Sequence, residues 1–305
     1  MTTFQLGINT CFAVKRWPTP AEWAAVVRDE LGLDLVQHSL DLVDLDGDDW
    51  DLRQQASELR HECEQAGLAL HSTFTGLAAY SGNLLLHPRP ARRNRALSMF
   101  QRIIDFTAAA GAGSTGGHVG AYSISDWRDP VRREELWAEL RSSLASLAAH
   151  AHGRGLSSLM VENLAAAREP STIAGMRSLL TPGDGQHVPI VACLDVGHQC
   201  VPGASGDETD PYAWLEQLGK LATVVQLQQS DALADHHWPF TPEANAAGRI
   251  EASRVLPAIE ASGATDVALI LEVIPAFEAD DDQVLDDLRA SAAYWRQALA
   301  DAAGA

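Results

Sequence analysis

Lysine is almost absent from this 305-residue chain: of 22 basic residues, only Lys15 and Lys220 are lysines. Neither lies inside an apolar strand pattern, so there is no desolvated amine of the kind a Schiff-base aldolase needs. Positive charge as a whole is scarce, with a formal net charge of −19. That argues against nucleic acid, whose binding begins with Lys and Arg neutralising phosphates, and against adhesion to an anionic membrane. The acidic excess reads as solvated surface. Cysteine is sparse too, and Cys11, Cys63, Cys193 and Cys200 have neither zinc-type nor disulfide-framework spacing. Cys193 falls in an apolar run, where a buried free thiol is expected. No apolar run approaches the roughly 20 residues of a membrane helix. The start, Met-Thr-Thr-Phe-Gln, lacks the basic region and apolar core of a secretory signal, so a cytoplasmic protein is expected. No internal Ser/Pro/Gly-rich linker, low-complexity tract or charge block divides the chain, which predicts one domain over 1–305.

What is present is alternation. Short apolar runs at 4–9, 34–39, 68–73 and 114–120 are separated by helical periodicity at 20–31, 52–65, 91–110 and 130–151. The second half repeats the scheme, with helices near 171–180, 211–218, 251–261 and 280–302. Eight strands alternating with eight helices favour a parallel sheet, because parallel neighbours need crossover connections. A doubly wound open sheet advertises a Gly-rich phosphate turn after its first strand, and Asn9-Thr10-Cys11-Phe12-Ala13 offers none. The expected fold is a closed (β/α)8 TIM barrel, which commonly uses about 250 residues. Gly67 and Gly155 suit helix C-terminal caps, Pro130 and Pro211 suit first-turn prolines, and the acids at 280–282 suit a helix start.

The chemistry is concentrated at four strand ends. The runs Ser158-Leu-Met-Val-Glu162-Asn163, Ile190-Val-Ala-Cys-Leu-Asp195, Thr223-Val-Val-Gln-Leu-Gln228 and Val267-Ala-Leu-Ile-Leu-Glu272 each close on one metal-competent side chain. Such residues point at the C-terminal mouth of a barrel, where these folds keep their active sites. Spacings of 33, 33 and 44 residues fit one βα unit each, the last enlarged by the loop 230–250. Three carboxylates and an amide oxygen are a hard-oxygen set suited to one divalent ion, Mn²⁺, Mg²⁺ or Co²⁺, over zinc. Without a cation the three acids would repel and raise one another's pKa.

On Val161-Glu162-Asn163, Leu194-Asp195-Val196-Gly197-His198, Gln228-Gln229-Ser230-Asp231 and Leu271-Glu272-Val273, the whole chain resembles the xylose-isomerase-like barrels. These are sugar-phosphate isomerases and epimerases that include ketose 3-epimerases and hydroxypyruvate isomerase. The resemblance implies that Glu162, Asp195, Gln228 and Glu272 bind one divalent metal. The third ligand is commonly His in the family, and its replacement by Gln resembles the hydroxypyruvate isomerase branch. The segments from His71 to Tyr80 and Asp210 to Glu216 are similar to the tetrulose-phosphate 3-epimerase branch. The implied reaction moves a proton beside the carbonyl of a small ketose or ketose phosphate through an enediolate. Glu162 and Glu272 are the acid–base pair, and either can be the first base. The resemblance gives His198 a substrate oxygen, and allows a homodimer or homotetramer.

Other residues are candidates on position alone. His71 and His118 end strand runs and point at the mouth. Ala234 stands where related epimerases carry an arginine, so Arg249 or Lys15 is expected to hold an anionic group. Asn163 is a candidate partner for the ligands. Trp17, Phe74 and Tyr80 are candidate walls, and the run Asp235-His236-His237-Trp238-Pro239-Phe240 a mouth-covering flap. Two rival functions remain open: a lyase on the same scaffold (a C-glycoside deglycosylase with a partner subunit, or a decarboxylase), and a non-catalytic sugar-binding barrel.

Overall fold

Runs rich in Val, Ile and Leu form the strands, since such side chains pack well on a pleated surface. The computed structural model describes residues 2–304. The strands are β1 (Thr3–Asn9), β2 (Leu35–Ser39), β3 (Ala69–Phe74), β4 (Ser114–Gly117), β5 (Ser158–Glu162), β6 (Ile190–Asp195), β7 (Ala222–Leu227) and β8 (Asp266–Leu271). Each pairs in parallel with its sequence neighbour, and β8 closes on β1 from Asp266 opposite Thr3 to Leu271 opposite Ile8. This is the expected closed eight-stranded barrel.

Helices surround it: Pro20–Ala25 continuing into a π-helical turn at Val26–Glu30, then Asp49–Ala66, Pro90–Ala110, Pro130–Gly153, Ile173–Leu179, Pro211–Leu218, Ala252–Ala261 and Asp281–Gly304. Their ends follow local chemistry. Asp129 and Asp210 cap the helices that Pro130 and Pro211 begin, and Asp280 accepts the N–H groups of Asp282 and Gln283. Gly67 ends its helix at φ +68, a conformation that carries no Cβ penalty in glycine.

Two apolar layers result. The larger lies between sheet and helices and includes Trp23, Phe106, Leu140, Trp214 and Trp295. The smaller fills the barrel itself, with Leu35, Phe74, Met160, Cys193, Val224, Ala268 and Ile270. The barrel is therefore a packed core rather than a pore. Gly116 is required where β4 meets β5: a Cβ there would lie 2.0 Å from the Met160 carbonyl oxygen. Among the described residues no helix is long and apolar enough to cross a membrane.

Two expectations shift. β4 stops at Gly117 rather than 120, because Gly117 and Gly120 turn the chain away at φ +125 and +144. Short helices at Leu77–Tyr80, Ile124–Arg128 and Pro242–Ala247 interrupt the loops. One or two turns are too few for a 3.6-residue period to register in the sequence.

Candidate active site at the barrel mouth

Strand alternation delivers the four expected side chains to one place. Glu162 and Asp195 end β5 and β6; Gln228 and Glu272 follow the last residues of β7 and β8. All four are buried. The three acids share one arrangement: each has one oxygen held and one left over. Tyr80 OH donates to Glu162 Oε2 at 2.5 Å. Asp195 Oδ1 accepts from Gly197 N at 2.6 Å and Gln228 Nε2 at 3.0 Å. Glu272 Oε1 accepts from Gln226 Nε2 at 2.7 Å and Asn9 Nδ2 at 3.1 Å. The second oxygens, Glu162 Oε1, Asp195 Oδ2 and Glu272 Oε2, are buried and have no hydrogen-bond partner. An unpaired buried polar group costs about 1–3 kcal/mol, and more when charged. Within 4.8 Å the acids form two overlapping groups that share Asp195, one with Glu162 and His198 and one with His237 and Glu272, and either could hold a divalent cation.

Electrostatics agree. Burial pushes Glu162 up to about 8, with His198 and Tyr80 opposing it. Burial, then the charges of Asp195 and Glu162, hold Glu272 well above the carboxylate range. A cation would reverse this by favouring the ionised forms.

Below the acids lies an amide floor, absent from the expectations above. Gln37 Oε1 accepts from Asn9 Nδ2 at 2.9 Å and Gln226 Nε2 at 3.0 Å, and Gln37 Nε2 donates to Ser72 Oγ at 3.2 Å. Asn9 ends β1 much as Glu162 ends β5, and Gln226 is two residues before Gln228 on an alternating strand. Both signals were available in the sequence.

The remaining candidates divide. His198 joins the site: Nδ1 is 2.7 Å from the Asn163 carbonyl oxygen and 3.5 Å from Glu162 Oε1, and Nε2 is 3.2 Å from Asp235 Oδ2. Burial alone would lower its pKa, but Asp195, Asp235 and Glu162 raise it well above the usual value. Asn163 bonds both backbone polar groups of Asp195, at 3.0 and 2.8 Å. His118 backs the wall, stacked on Tyr80 with centroids 5.0 Å apart, and burial lowers its pKa to about 4. Tyr80 is a polar partner of Glu162 as well as a wall.

The other expected residues are not brought to the acids. His71 sits mid-strand, three residues short of the end of β3, with Nδ1 3.0 Å from Ser72 Oγ. Arg249 donates to the carbonyl oxygens of Thr209 at 2.8 Å and Gln199 at 3.0 Å. Lys15, exposed and at φ +67, holds its amine 3.9 Å from the centre of the Phe277 ring. Phe74 belongs to the barrel filling, and Trp17 packs on Phe12.

The expected flap folds back on the site. Gln229 and Trp238 exchange two backbone hydrogen bonds, at 2.9 and 3.0 Å. Phe240, buried against Tyr294 and Trp295, anchors its far end. The fold-back sets Asp235 and His237 over the acids, where a cavity of about 310 Å³ is bounded by Asn9, Ser39, Thr75, Tyr80, His237 and Glu272 among others. No Lys or Arg lines it.

A closed parallel barrel with buried acids at its C-terminal mouth defines the class: an α/β barrel with its site built on strand ends. Residues 24–298 match the family described as xylose isomerase-like TIM barrel, and the chain belongs to that family. It is 28% identical over 295 residues to the D-erythrulose 1-phosphate 3-epimerase of Brucella abortus, covering 95% of this chain and 94% of the relative. A Rhodospirillum rubrum protein given the provisional name xylose isomerase has a crystal structure similar at a TM-score of 0.88. That match has 35% identity and covers 97% of this chain and 99% of the other. The D-psicose 3-epimerase of Clostridium cellulolyticum, solved with D-tagatose, shares the fold at a TM-score of 0.71 and 15% identity, with coverage of 97% and 99%.

Proposed function

We propose that this protein is a divalent-metal-dependent 3-epimerase of a small ketose or ketose phosphate, a tetrulose phosphate being the first substrate to try. The observation that carries the reading is the pair Glu162 and Glu272. Each is buried at the mouth, held by one oxygen and left with the other unpaired. They stand on β5 and β8 with two strands between them, so a substrate carbon over the mouth has a carboxyl group on either side. The names of the Brucella relative and of the ketose 3-epimerases that share the fold support the same reaction class.

Glu162, Asp195 and Glu272 would hold the cation through their unpaired oxygens. When bound, it supplies a Lewis acid that lowers the cost of the enediolate. The chain does the rest. One glutamate takes the proton beside the carbonyl and the other returns one on the opposite face. Tyr80 fixes the rotamer of Glu162, while Asn9 and Gln226 fix that of Glu272. His198, held by the Asn163 carbonyl, would share its Nε2 between Asp235 Oδ2 and a substrate oxygen. The fold-back after Gln228 covers the site and excludes water. With no Lys or Arg lining the cavity, a phosphate end would have to reach beyond it, to a cation such as Lys15 on the loop after β1, whose amine would have to leave Phe277.

The test is deuterium exchange into a panel of ketoses and ketose phosphates in D₂O with Mn²⁺, with and without EDTA. Metal-dependent label at the carbon beside the carbonyl supports the reading and identifies the substrate. A metal-bound protein that labels none of them defeats it and favours a lyase or a sensor.

A further inference from the structure

Gln228 stands where the family pattern places a metal ligand, yet it turns its nitrogen to the acids. Nε2 donates to Asp195 Oδ1 at 3.0 Å and Asp235 Oδ1 at 2.7 Å, while Oε1 accepts from the His237 N–H at 2.6 Å. Turning the amide over would set NH₂ against an N–H and oxygen against two carboxylates. The hydrogen-bond network therefore assigns this orientation. Gly197 keeps the amide in place, since a Cβ there would lie 2.3 Å from its carbon. The amide oxygen is spent on the backbone of the flap.

His237 is what Gln228 holds. Its φ of +50 is a left-handed conformation that costs a non-glycine residue about 1–3 kcal/mol and persists where the surroundings impose it. Here the surroundings are the Gln228 amide, the Gln229–Trp238 bonds and a 3.2 Å bond from Ile274 N to the His237 carbonyl oxygen. The ring is mostly buried. Nδ1 lies 3.2 Å from the Glu272 carbonyl oxygen, while Nε2 lies 3.2 Å from Asp235 Oδ1 and 3.4 Å from Gln228 Nε2, contacts that a bound cation would replace. One ring nitrogen forms a group with carboxylate oxygens of Asp195 and Glu272, all within 4.8 Å of one another. Both acids carry an unpaired oxygen.

We propose that His237, delivered by the loop after β7, is the fourth protein ligand of the divalent cation, and that Gln228 is its positioning residue. The inference rests on the metal-dependent reading above. It replaces an all-oxygen set by three carboxylates and one imidazole, which shifts preference from Mg²⁺ toward Mn²⁺ or Co²⁺. It also makes closure of the flap and capture of the cation one event.

Pulsed EPR on the full-length protein loaded with Mn²⁺ tests this, with Kd measured by calorimetry and folding checked by circular dichroism. The wild type should show a directly bound ¹⁴N coupling that His237→Asn and His237→Gln abolish and His198→Asn retains. Kd for Mn²⁺ should rise about 10-fold or more in both His237 variants, and by a similar or smaller factor in Gln228→Ala. Wild-type protein that binds Mn²⁺ without ¹⁴N coupling, or coupling that survives in folded His237 variants or vanishes in His198→Asn, overturns the His237 assignment and leaves the epimerase reading standing. Wild-type protein that binds no Mn²⁺ overturns both.

Discussion

β5 to β8 bring Glu162, Asp195, Gln228 and Glu272 to the barrel mouth, whereas β1 to β4 end on Asn9, Ser39, Phe74 and Gly117. The second half carries the charge and the first half carries none. What the first half contributes is orientation: Asn9 holds one oxygen of Glu272, and Tyr80, on the loop after β3, holds one of Glu162. Three buried acids in one place repel and are costly. Neutral donors from the opposite half quench one oxygen on two of them and leave the other free. On the proposed reading a cation site is thus prepared by halves with different tasks, and mutations in each should fail differently.

The sharpest break falls on the charged half. Glu162→Gln and Glu272→Gln preserve shape and should cut substrate deuterium exchange by about 10²–10⁴-fold, the usual share of a general acid or base. Circular dichroism should stay at the wild-type spectrum. Exchange within a few-fold of wild type in either variant would remove that glutamate from the reaction. Next comes metal removal: at Mn²⁺ near one hundred times Kd the cation should add about 2.7 kcal/mol to stability, seen as a melting point that EDTA lowers. The same shift in Asp195→Asn would place the ion elsewhere.

A smaller effect is expected from the neutral half. Tyr80→Phe and Asn9→Ala should each lower Mn²⁺ affinity or exchange by about 10–100-fold, the range for residues that orient ligands. Unchanged values would reduce the first half to packing. Smallest at the mouth is Arg249→Ala. It leaves the Thr209 and Gln199 carbonyls without their partner, so about 1–3 kcal/mol of stability should go while exchange stays near wild type. A KM that rises only for phosphorylated ketoses would instead return Arg249 to the substrate.

The acids were legible because each closes an apolar run at regular spacing, and strand alternation carries that pattern directly into the barrel. His198, three residues beyond Asp195, rides on the same geometry. Asn9 and Gln226 bore the same signal, hidden by the plainness of an amide. His71, Arg249 and Lys15 carry only charge and rough position as signals in the sequence. His71 stands mid-strand with Ser72, Arg249 is tied to carbonyl oxygens, and Lys15 lies over Phe277. Tyr80 sits in a four-residue helix whose direction no periodicity records.

By itself the sequence determined the eight-fold alternation, the closed parallel barrel and the meeting of Glu162, Asp195, Gln228 and Glu272, because hydrophobic period and strand length are local properties. Only the tertiary structure decided which oxygen of each acid is free, which way the Gln228 amide faces and that His237 lies over Asp195 and Glu272. Those follow from donors and acceptors on distant segments, such as Asn9 on Glu272 and Tyr80 on Glu162, and a hydrogen bond between remote residues leaves no period to read.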